Sequence, residues 1–316
     1  MTIPTSKNSE LSPIALFVYN RPEHTRRTVE SLAQNELAPQ SDLFVFADGA
    51  KNENARAAIQ EVREYAQTIR GFRSVTIAER ERNCGLAKSV IGGVSQVCAQ
   101  FGRTIVVEDD LLTAPNFLRF MNEALEHYKD QVRIFSVSGF NFPIDAPEDY
   151  PYDAFCSYRS SSWGWGTWQD RWMKADWAMR DFADFIVDRQ QQERLNRGGD
   201  DLTPMLARQM AGHLNSWAIR WEYAHFKHEA FALFPVTSMV YNIGLDGSGV
   251  HCRGDTVNQK PLSSSAARAY RFPETAEVPP HFAAEIKRLN RISSARKVLR
   301  YFRSQLESKY SAVKSS

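Results

Sequence analysis

Short apolar runs that recur through the first half of the chain most constrain its fold. Residues 13–19 and 43–47 are continuous apolar runs, and residues 104–107 are rich in β-branched side chains. Such runs are typical of strands that are buried on both faces of a sheet. Longer segments with helical spacing separate them, at about residues 22–34 and 86–101. We therefore predict an α/β fold with a mostly parallel central sheet flanked by helices.

Polar residues follow each of the predicted strands. Asn20 and Arg21 follow the first, Asp48 the second, Asn83 the third and Glu108 the fourth. In open α/β sheets, ligands bind beyond the carboxyl ends of the strands. We therefore expect these side chains to converge on one edge of the sheet.

Composition narrows the class of protein. The chain has 316 residues, of which 43% are hydrophobic and 24% charged, and its formal net charge is +2. These values are typical of a globular protein, and they give no global reason to expect a nucleic-acid partner. The N-terminus lacks an apolar signal segment, and no apolar run approaches the roughly 18 residues of a membrane span. Because the cysteines are scattered, we expect a reducing, cytoplasmic location.

The pattern along the chain predicts four segments. We expect a disordered N-terminus at 1–12, a single domain at 13–260 with halves at 13–142 and 143–260, a linker at 261–280 and a basic amphipathic helix at 281–316. Such a helix can lie on the inner face of an anionic membrane as a peripheral contact. The favoured alternative is a helix that packs on the domain and turns its basic face to solvent.

The acidic triplet Glu108, Asp109 and Asp110 closes the fourth predicted strand. Three adjacent carboxylates repel one another, so burial without a cation would force a proton onto at least one of them. Mg²⁺ and Mn²⁺ prefer carboxylate and phosphate oxygens. The alternative is that these acids cap the following helix and face water, but their position at a strand end favours the cation site.

Residues 106–111, which read V-V-E-D-D-L, resemble the E-D-D-L metal motif of N-acetylglucosaminyltransferase I. The chain is similar in this respect to nucleotide-sugar glycosyltransferases of the GT-A (Rossmann-like) fold, including family 2-type transferases. The resemblance covers roughly residues 13–252. It implies a Mn²⁺ or Mg²⁺ cofactor with Asp110 as its ligand, and it assigns Glu108 and Asp109 to the donor.

A late histidine extends this resemblance. Many GT-A enzymes supply one as a further metal ligand, and residues 249–251, Gly-Val-His, look like that element. The resemblance therefore implies His251 as a second metal ligand. An exposed or structural histidine is the equal alternative.

The remaining polar turns suggest a donor pocket. By resemblance, Tyr19, Asn20 and Arg21 would hold the nucleotide and diphosphate, and Asp48 would read the base. Residues 83–89 resemble a donor-contacting loop, in which Asn83 and Lys88 are the candidates, because lysine can reach a phosphate as a point charge. Each of these residues can instead be an ordinary turn residue.

A Trp/Gly-rich segment suggests the acceptor site. Glycines allow close approach to a ligand, and aromatic faces stack on sugar rings. The segment resembles the W-G-W-G acceptor motif of β-1,4-galactosyltransferases, and its four residues are Trp163, Gly164, Trp165 and Gly166. The alternative is that these tryptophans pack in the core.

An inverting transfer needs a carboxylate that accepts the proton of the acceptor hydroxyl. Asp170, close to the Trp/Gly segment, is the first candidate for this catalytic base, and Glu222 and Asp201 are its rivals. This chain has Thr167, Trp168 and Gln169 where the resembled family places acids, so the base remains open.

These features predict a metal-dependent glycosyltransferase of the hexosyl or N-acetylhexosaminyl type. It would move a sugar from a nucleotide diphosphate, with UDP favoured, to a glycan or lipid-linked acceptor, with inversion implied by the resemblance. One alternative is a sugar nucleotidyltransferase, although the first turn lacks the glycines of its phosphate loop. The other is a catalytically inactive, transferase-like binding protein.

Overall fold

The computed structural model describes residues 11–247, 259–262 and 269–292. The strands are β1 (Ile14–Val18), β2 (Asp42–Ala47), β3 (Ser74–Glu79), β4 (Arg103–Glu108), β5 (Leu111–Thr113), β6 (Ile134–Ser138), β7 (Ala154–Ser157), β8 (Trp165–Trp168), β9 (Phe231–Pro235) and β10 (Val240–Asn242). The α-helices are α1 (Pro22–Ala33), α2 (Arg56–Thr68), α3 (Leu86–Phe101), α4 (Phe117–His127), α5 (Gln169–Trp172), α6 (Phe182–Phe185), α7 (Arg189–Leu195), α8 (Leu202–Met210), α9 (Trp217–Lys227) and α10 (Pro280–Leu289).

Eight strands form one central sheet in the order β3-β2-β1-β4-β8-β6-β9-β7. Neighbours from β3 to β4 are parallel, and so are β6 and β9. Strands β8 and β7 run against their neighbours. The expectation of an α/β fold with a mostly parallel central sheet flanked by helices is confirmed.

The sequence explains why the parallel half forms where it does. Every residue of β1 and β2 is buried, as the continuous apolar runs predict for strands covered on both faces. Pro22 occupies the first turn of α1, where its missing N–H costs no hydrogen bond. Gly102 ends α3 in the left-handed conformation, with φ +78°, and its N–H donates to the carbonyl of Cys98.

Strand β8 lies at the centre of the sheet, which the sequence did not predict. It separates β4 from β6 and is antiparallel to both. Its residues Trp165 and Gly166 are the second half of the W-G-W-G segment. Trp165 is fully buried between the sheet and two helices, where it stacks on Trp217 at 5.0 Å and tilts against Trp172 at 5.6 Å. A fully buried ring cannot stack on an acceptor sugar.

The C-terminal part of the described chain packs on the domain. The side-chain amide of Asn116 donates a hydrogen bond to the hydroxyl of Tyr270, and Tyr128 donates one to the carbonyl of Pro273, so the second half of the expected linker is anchored on α4. In α10, the ring of Phe282 stacks on Phe155 at 3.8 Å.

The apolar face of α10 is therefore buried against the domain, and its Lys287 and Arg288 are exposed. Residues 293–316, the larger part of the expected C-terminal helix, lie outside the described residues. Among the described residues, no helix combines the length and apolar character that crossing a membrane requires.

We expect Phe282→Ala to lower the free energy of unfolding by about 3–5 kcal/mol, because it leaves a cavity beside Phe155. Leu289, at the end of the same helix, is 38% exposed, and its replacement by alanine is the matched control, with an expected change within about 0.5 kcal/mol. Urea unfolding measures both. Equal values for the two variants would show that α10 is not part of the core.

Candidate functional site

The register of three parallel strands brings the polar residues to one edge of the sheet. Phe17 of β1 is paired with Glu108 of β4, and Val18 is paired with Ala47 of β2. The residues that follow these pairs, Arg21, Asp48 and the rest of the acidic triplet, therefore lie beyond adjacent carboxyl ends. This is the side on which α/β sheets bind ligands.

Arg21 joins the ends of β1 and β4. Its Nη2 donates to the Oδ1 of Asp109 and to the Oδ2 of Asp110, the latter at 2.9 Å. The backbone N–H of Tyr19 also donates to Asp109, at 3.3 Å. One guanidinium thus contacts two adjacent carboxylates.

Burial and charge act in opposite directions on this group. Burial disfavours the charge of Arg21, but Asp109 and Asp110 outweigh it and hold the pKa of the guanidinium above its ordinary value. Burial also raises the pKa of Asp109, and the charge of Arg21 opposes that rise. The two groups are charged as a pair, so loss of either would leave the other charge buried.

Glu108 has a different environment. The side chain of Trp217, the first residue of α9, interacts with the carboxyl group of Glu108 and favours its charged form. Burial, together with the charges of Asp110 and Asp109, raises the pKa of Glu108 to about 8. The three acids are therefore distinct: Glu108 retains a proton most readily, Asp109 is held by Arg21 and Tyr19, and Asp110 is more exposed than Asp109.

Asp48 organises the loop that precedes α3. Its carboxylate accepts hydrogen bonds from the backbone N–H groups of Cys84 at 3.0 Å and Gly85 at 2.9 Å, and from the side-chain amide of Asn83 at 3.1 Å. The N–H of Gly49 donates to it as well. Asp48 thus fixes this loop, and its role in reading a nucleotide base stays a prediction.

The remaining donor candidates surround this edge. Tyr19 accepts a hydrogen bond at its hydroxyl from the N–H of Lys51, at 3.1 Å. Asn20 is half-buried in the turn between β1 and α1, and Lys88 is exposed in the first turn of α3. Lys88 therefore lies next to the loop that Asp48 holds, with its ammonium free to reach solvent.

A second, two-stranded sheet closes over the acidic triplet. Strand β10 is antiparallel to β5, with Asn242 opposite Leu111, and the N–H of Ile243 donates to the carbonyl of Asp110 at 2.8 Å. The next residue, Gly244, lies against the side chain of Asp110. A Cβ at Gly244 would overlap the Oδ2 of Asp110 and lie 2.9 Å from the Nη1 of Arg21, so only glycine fits without displacing Asp110.

The chemistry of Asp110 suits a bridging divalent cation. Its side chain is 14% exposed at the carboxyl end of β4. Among the described residues, no group of three or more His, Cys, Asp or Glu side chains is arranged to hold a metal. A cation that bridges a diphosphate is commonly held by one or two carboxylates plus phosphate oxygens, and Asp110 fits that role. His251, the other expected ligand, lies outside the described residues.

The W-G-W-G segment divides between this edge and the core. Trp163 and Gly164 precede β8, near the carboxyl end of β4, and Trp163 is half-buried with its ring 4.5 Å from Phe140. Gly164 adopts φ +58°, and a Cβ there would lie 2.7 Å from Val240. Trp165 and Gly166 are inside the sheet, so the structure places them in the core and away from this edge.

Glu222 is buried below the start of this segment. Its Oε2 accepts hydrogen bonds from both the N–H and the hydroxyl of Ser160, each at 2.6 Å, while its Oε1 has no hydrogen-bond partner among the described residues. Burial raises the pKa of Glu222, and Ser160 and Arg159 oppose that rise. Arg159 itself binds Asp201 through two hydrogen bonds of 2.9 Å, so the third candidate base is held in an ion pair.

Asp170 lies at the opposite edge of the sheet. Strand β8 runs against β4, so its last residue, Trp168, pairs with Arg103 at the amino end of β4. Asp170 follows two residues later, is exposed and binds Arg171 at 2.8 Å. The structure does not bring Asp170 to the acidic triplet, because β8 runs antiparallel to β4. The sequence did not indicate this direction.

Two residues of the site were missed by the sequence analysis. Trp217 binds Glu108 from a helix more than a hundred residues away, and nothing in its local sequence signals that contact. Gly244 begins the turn G-L-D-G, whose glycines were noticed only as a loop. Strand β10 just before it reads V-Y-N, which is too short to signal that a strand holds this turn.

The chain is an α/β protein with a charged site at the carboxyl ends of adjacent parallel strands. No family model matches its sequence, and no curated protein matches it. Among solved structures, S. aureus TarS is similar over 52% of this chain and 30% of its own, at 14% identity and a TM-score of 0.35.

The mannosyltransferase PcManGT from Pyrobaculum calidifontis, solved in complex with GDP-Man and Mn²⁺, is similar over 72% of this chain and 71% of its own, at 10% identity and a TM-score of 0.36. Likenesses this low transfer no donor, acceptor or metal to this chain.

We expect Asp48→Ala to release the loop at residues 83–85. The backbone N–H groups of Cys84 and Gly85 would lose a charged acceptor, so their hydrogen exchange should accelerate roughly ten- to a hundredfold. Asp145→Ala is the matched control, since Asp145 is 93% exposed and pairs with Lys260. Unchanged exchange in Asp48→Ala would show that Asp48 does not hold the loop.

Proposed function

We propose that this chain is a glycosyltransferase that transfers a sugar from a nucleotide diphosphate to a glycan or lipid-linked acceptor. The donor is a UDP-sugar in the first instance, the sugar is a hexose or N-acetylhexosamine, and the transfer proceeds with inversion. The observation that carries this proposal is the position of Asp110, which is partly exposed beside Arg21 at the carboxyl end of β4. An acid and a guanidinium at that edge suit a cation-bound diphosphate.

On the donor side, Asp110 would hold Mn²⁺ or Mg²⁺, which offsets the charge that develops on a departing diphosphate. Arg21 follows β1 directly and can donate two parallel hydrogen bonds to phosphate oxygens. Lys88 adds an exposed positive charge beside the loop fixed by Asp48. Asp109 positions Arg21, and Glu108 keeps Trp217 at the edge of the site.

On the acceptor side, Trp163 and Gly164 lie at the same edge and supply a partly exposed aromatic ring beside a close backbone approach. Glu222 is the base we propose in preference to Asp170, which lies at the far edge. One of its oxygens is held by Ser160, and the other has no partner among the described residues. A raised pKa brings a carboxylate closer to the value that suits proton transfer near neutral pH.

The donor half is tested by calorimetry with UDP, GDP and their sugars in the presence of Mn²⁺. We expect the wild-type protein to bind one of these nucleotides or its sugar. In an assay of sugar transfer, Asp110→Ala should be about a hundredfold slower, because the charge that develops on the departing diphosphate is no longer offset. Asp149→Ala, at an exposed loop position, is the control. Full transfer activity in the presence of a chelator would contradict the role of Asp110.

The substitution Glu222→Gln separates the role of Glu222 as a base from its structural role. The amide oxygen can still accept from Ser160, so the loop and donor affinity should persist, whereas turnover should fall by roughly 10²–10⁴-fold. In the wild type, turnover should fall on acidification at a pH above the ordinary pKa range of a glutamate, because burial raises the pKa of Glu222. This loss should be absent in Glu222→Gln. Glu229→Gln, at an exposed position after the same helix, is the control.

The outcome also separates the alternatives. Nucleotide binding with Mn²⁺ but no transfer to any acceptor, and no effect of Glu222→Gln, would indicate a binding protein. Formation of a nucleotide sugar from a sugar phosphate and a nucleoside triphosphate would indicate a nucleotidyltransferase.

A further inference from the structure

Arg21 has an unbalanced set of contacts. Its Nη2 donates to both Asp109 and Asp110, whereas its Nη1 is buried and has no hydrogen-bond partner among the described residues. A buried guanidinium nitrogen that lacks an acceptor is costly, since guanidinium offers five donors that are normally satisfied. One nitrogen of Arg21 is therefore available to donate to a further anionic or polar oxygen.

Arg21 also binds the carboxylate of Asp110, which a cation would need as its ligand. The Oδ2 of Asp110 lies 2.9 Å from Nη2, and the backbone of Gly244 packs against the same oxygen. A divalent cation bound to Asp110 would sit close to the guanidinium, and the two positive charges repel. With Gly244 closing one side, the simplest way to relieve that repulsion is for the guanidinium to leave Asp110.

A displaced guanidinium needs another anion. Asp109 would keep one of its nitrogens, because that carboxylate is also held by the N–H of Tyr19. The other donors, including the unpartnered Nη1, suit two oxygens of a diphosphate, which arginine binds in a bidentate manner. A cation on Asp110 and a diphosphate on Arg21 would thus give each charged group of this contact an opposite charge.

We infer that Arg21 couples the two ligands: it holds Asp110 when the site is empty and turns to the diphosphate when a cation takes Asp110. This inference rests on the proposed function. A divalent cation alone binds weakly because it competes with Arg21 for Asp110. A nucleoside diphosphate strengthens cation binding beyond what direct coordination gives, because it draws Arg21 away. By linkage, the cation strengthens nucleotide binding by the same factor.

The test measures Mn²⁺ affinity from the electron paramagnetic resonance signal of free Mn²⁺, with and without UDP or GDP, in the wild type and in Arg21→Met. We expect the variant to bind Mn²⁺ alone about tenfold more tightly than the wild type, since the competing charge is gone. The strengthening of Mn²⁺ binding by the nucleotide should fall by about the same factor in the variant.

Two further variants make the result specific. Arg21→Met combined with Asp110→Asn should lose the gained Mn²⁺ affinity, because the freed carboxylate is its source. Arg56→Met is the matched control, since the Arg56 side chain is 69% exposed and pairs with a surface glutamate, Glu53, at 2.8 Å; it should change neither affinity. Thermal unfolding without Mn²⁺ checks the fold, and Arg21→Gln replaces Arg21→Met if the latter does not fold.

The outcomes are distinguishable from failure of the proposed function. If the wild type binds UDP or GDP with Mn²⁺ but Arg21→Met binds Mn²⁺ alone no more tightly, the coupling is overturned and the proposed function stands. If neither protein binds Mn²⁺ or either nucleotide, the proposed function and the coupling both fail. Tighter Mn²⁺ binding by the variant that Asp110→Asn abolishes supports the coupling.

Discussion

The contact of Arg21 with Asp109 and Asp110 is the interaction on which the rest of the site depends. The acids are adjacent in sequence and lie at the end of a buried strand, so their mutual repulsion must be offset within a few ångströms. The parallel pairing of Phe17 with Glu108 places the residue that follows β1 where it can do so. The register of two apolar strands thus determines the electrostatics of the charged edge.

The second half of the chain completes this edge. Strand β10 pairs with β5 and brings Gly244 against Asp110, while α9 brings Trp217 to Glu108. The acids that belong to the predicted donor half are therefore enclosed by backbone and side chains of the predicted acceptor half. The hydrogen bond from the N–H of Ile243 to the carbonyl of Asp110 joins the two halves directly.

The sequence was informative where local pattern and tertiary position agree. Continuous apolar runs predicted β1, β2 and β4, and the carboxyl-end rule then predicted where Arg21 and Asp110 lie. It was uninformative for β8, because a four-residue strand that contains a glycine has neither alternation nor a long apolar run. The direction of β8 decides that Trp165 is buried and that Asp170 lies at the far edge. Such antiparallel insertions follow from long-range pairing, which no local pattern encodes.

Helix α9 contacts both the acidic triplet and the segment that precedes β8. Trp217, in its first turn, binds Glu108, and Glu222 binds Ser160 from the same helix. Five residues along a helix span about 7.5 Å, and the ring of Trp221 between them packs against Phe135 and Trp172. Large buried rings thus hold the one helix that contacts both Glu108 and Ser160, so the packing of its tryptophans decides how these two parts of the chain lie relative to each other.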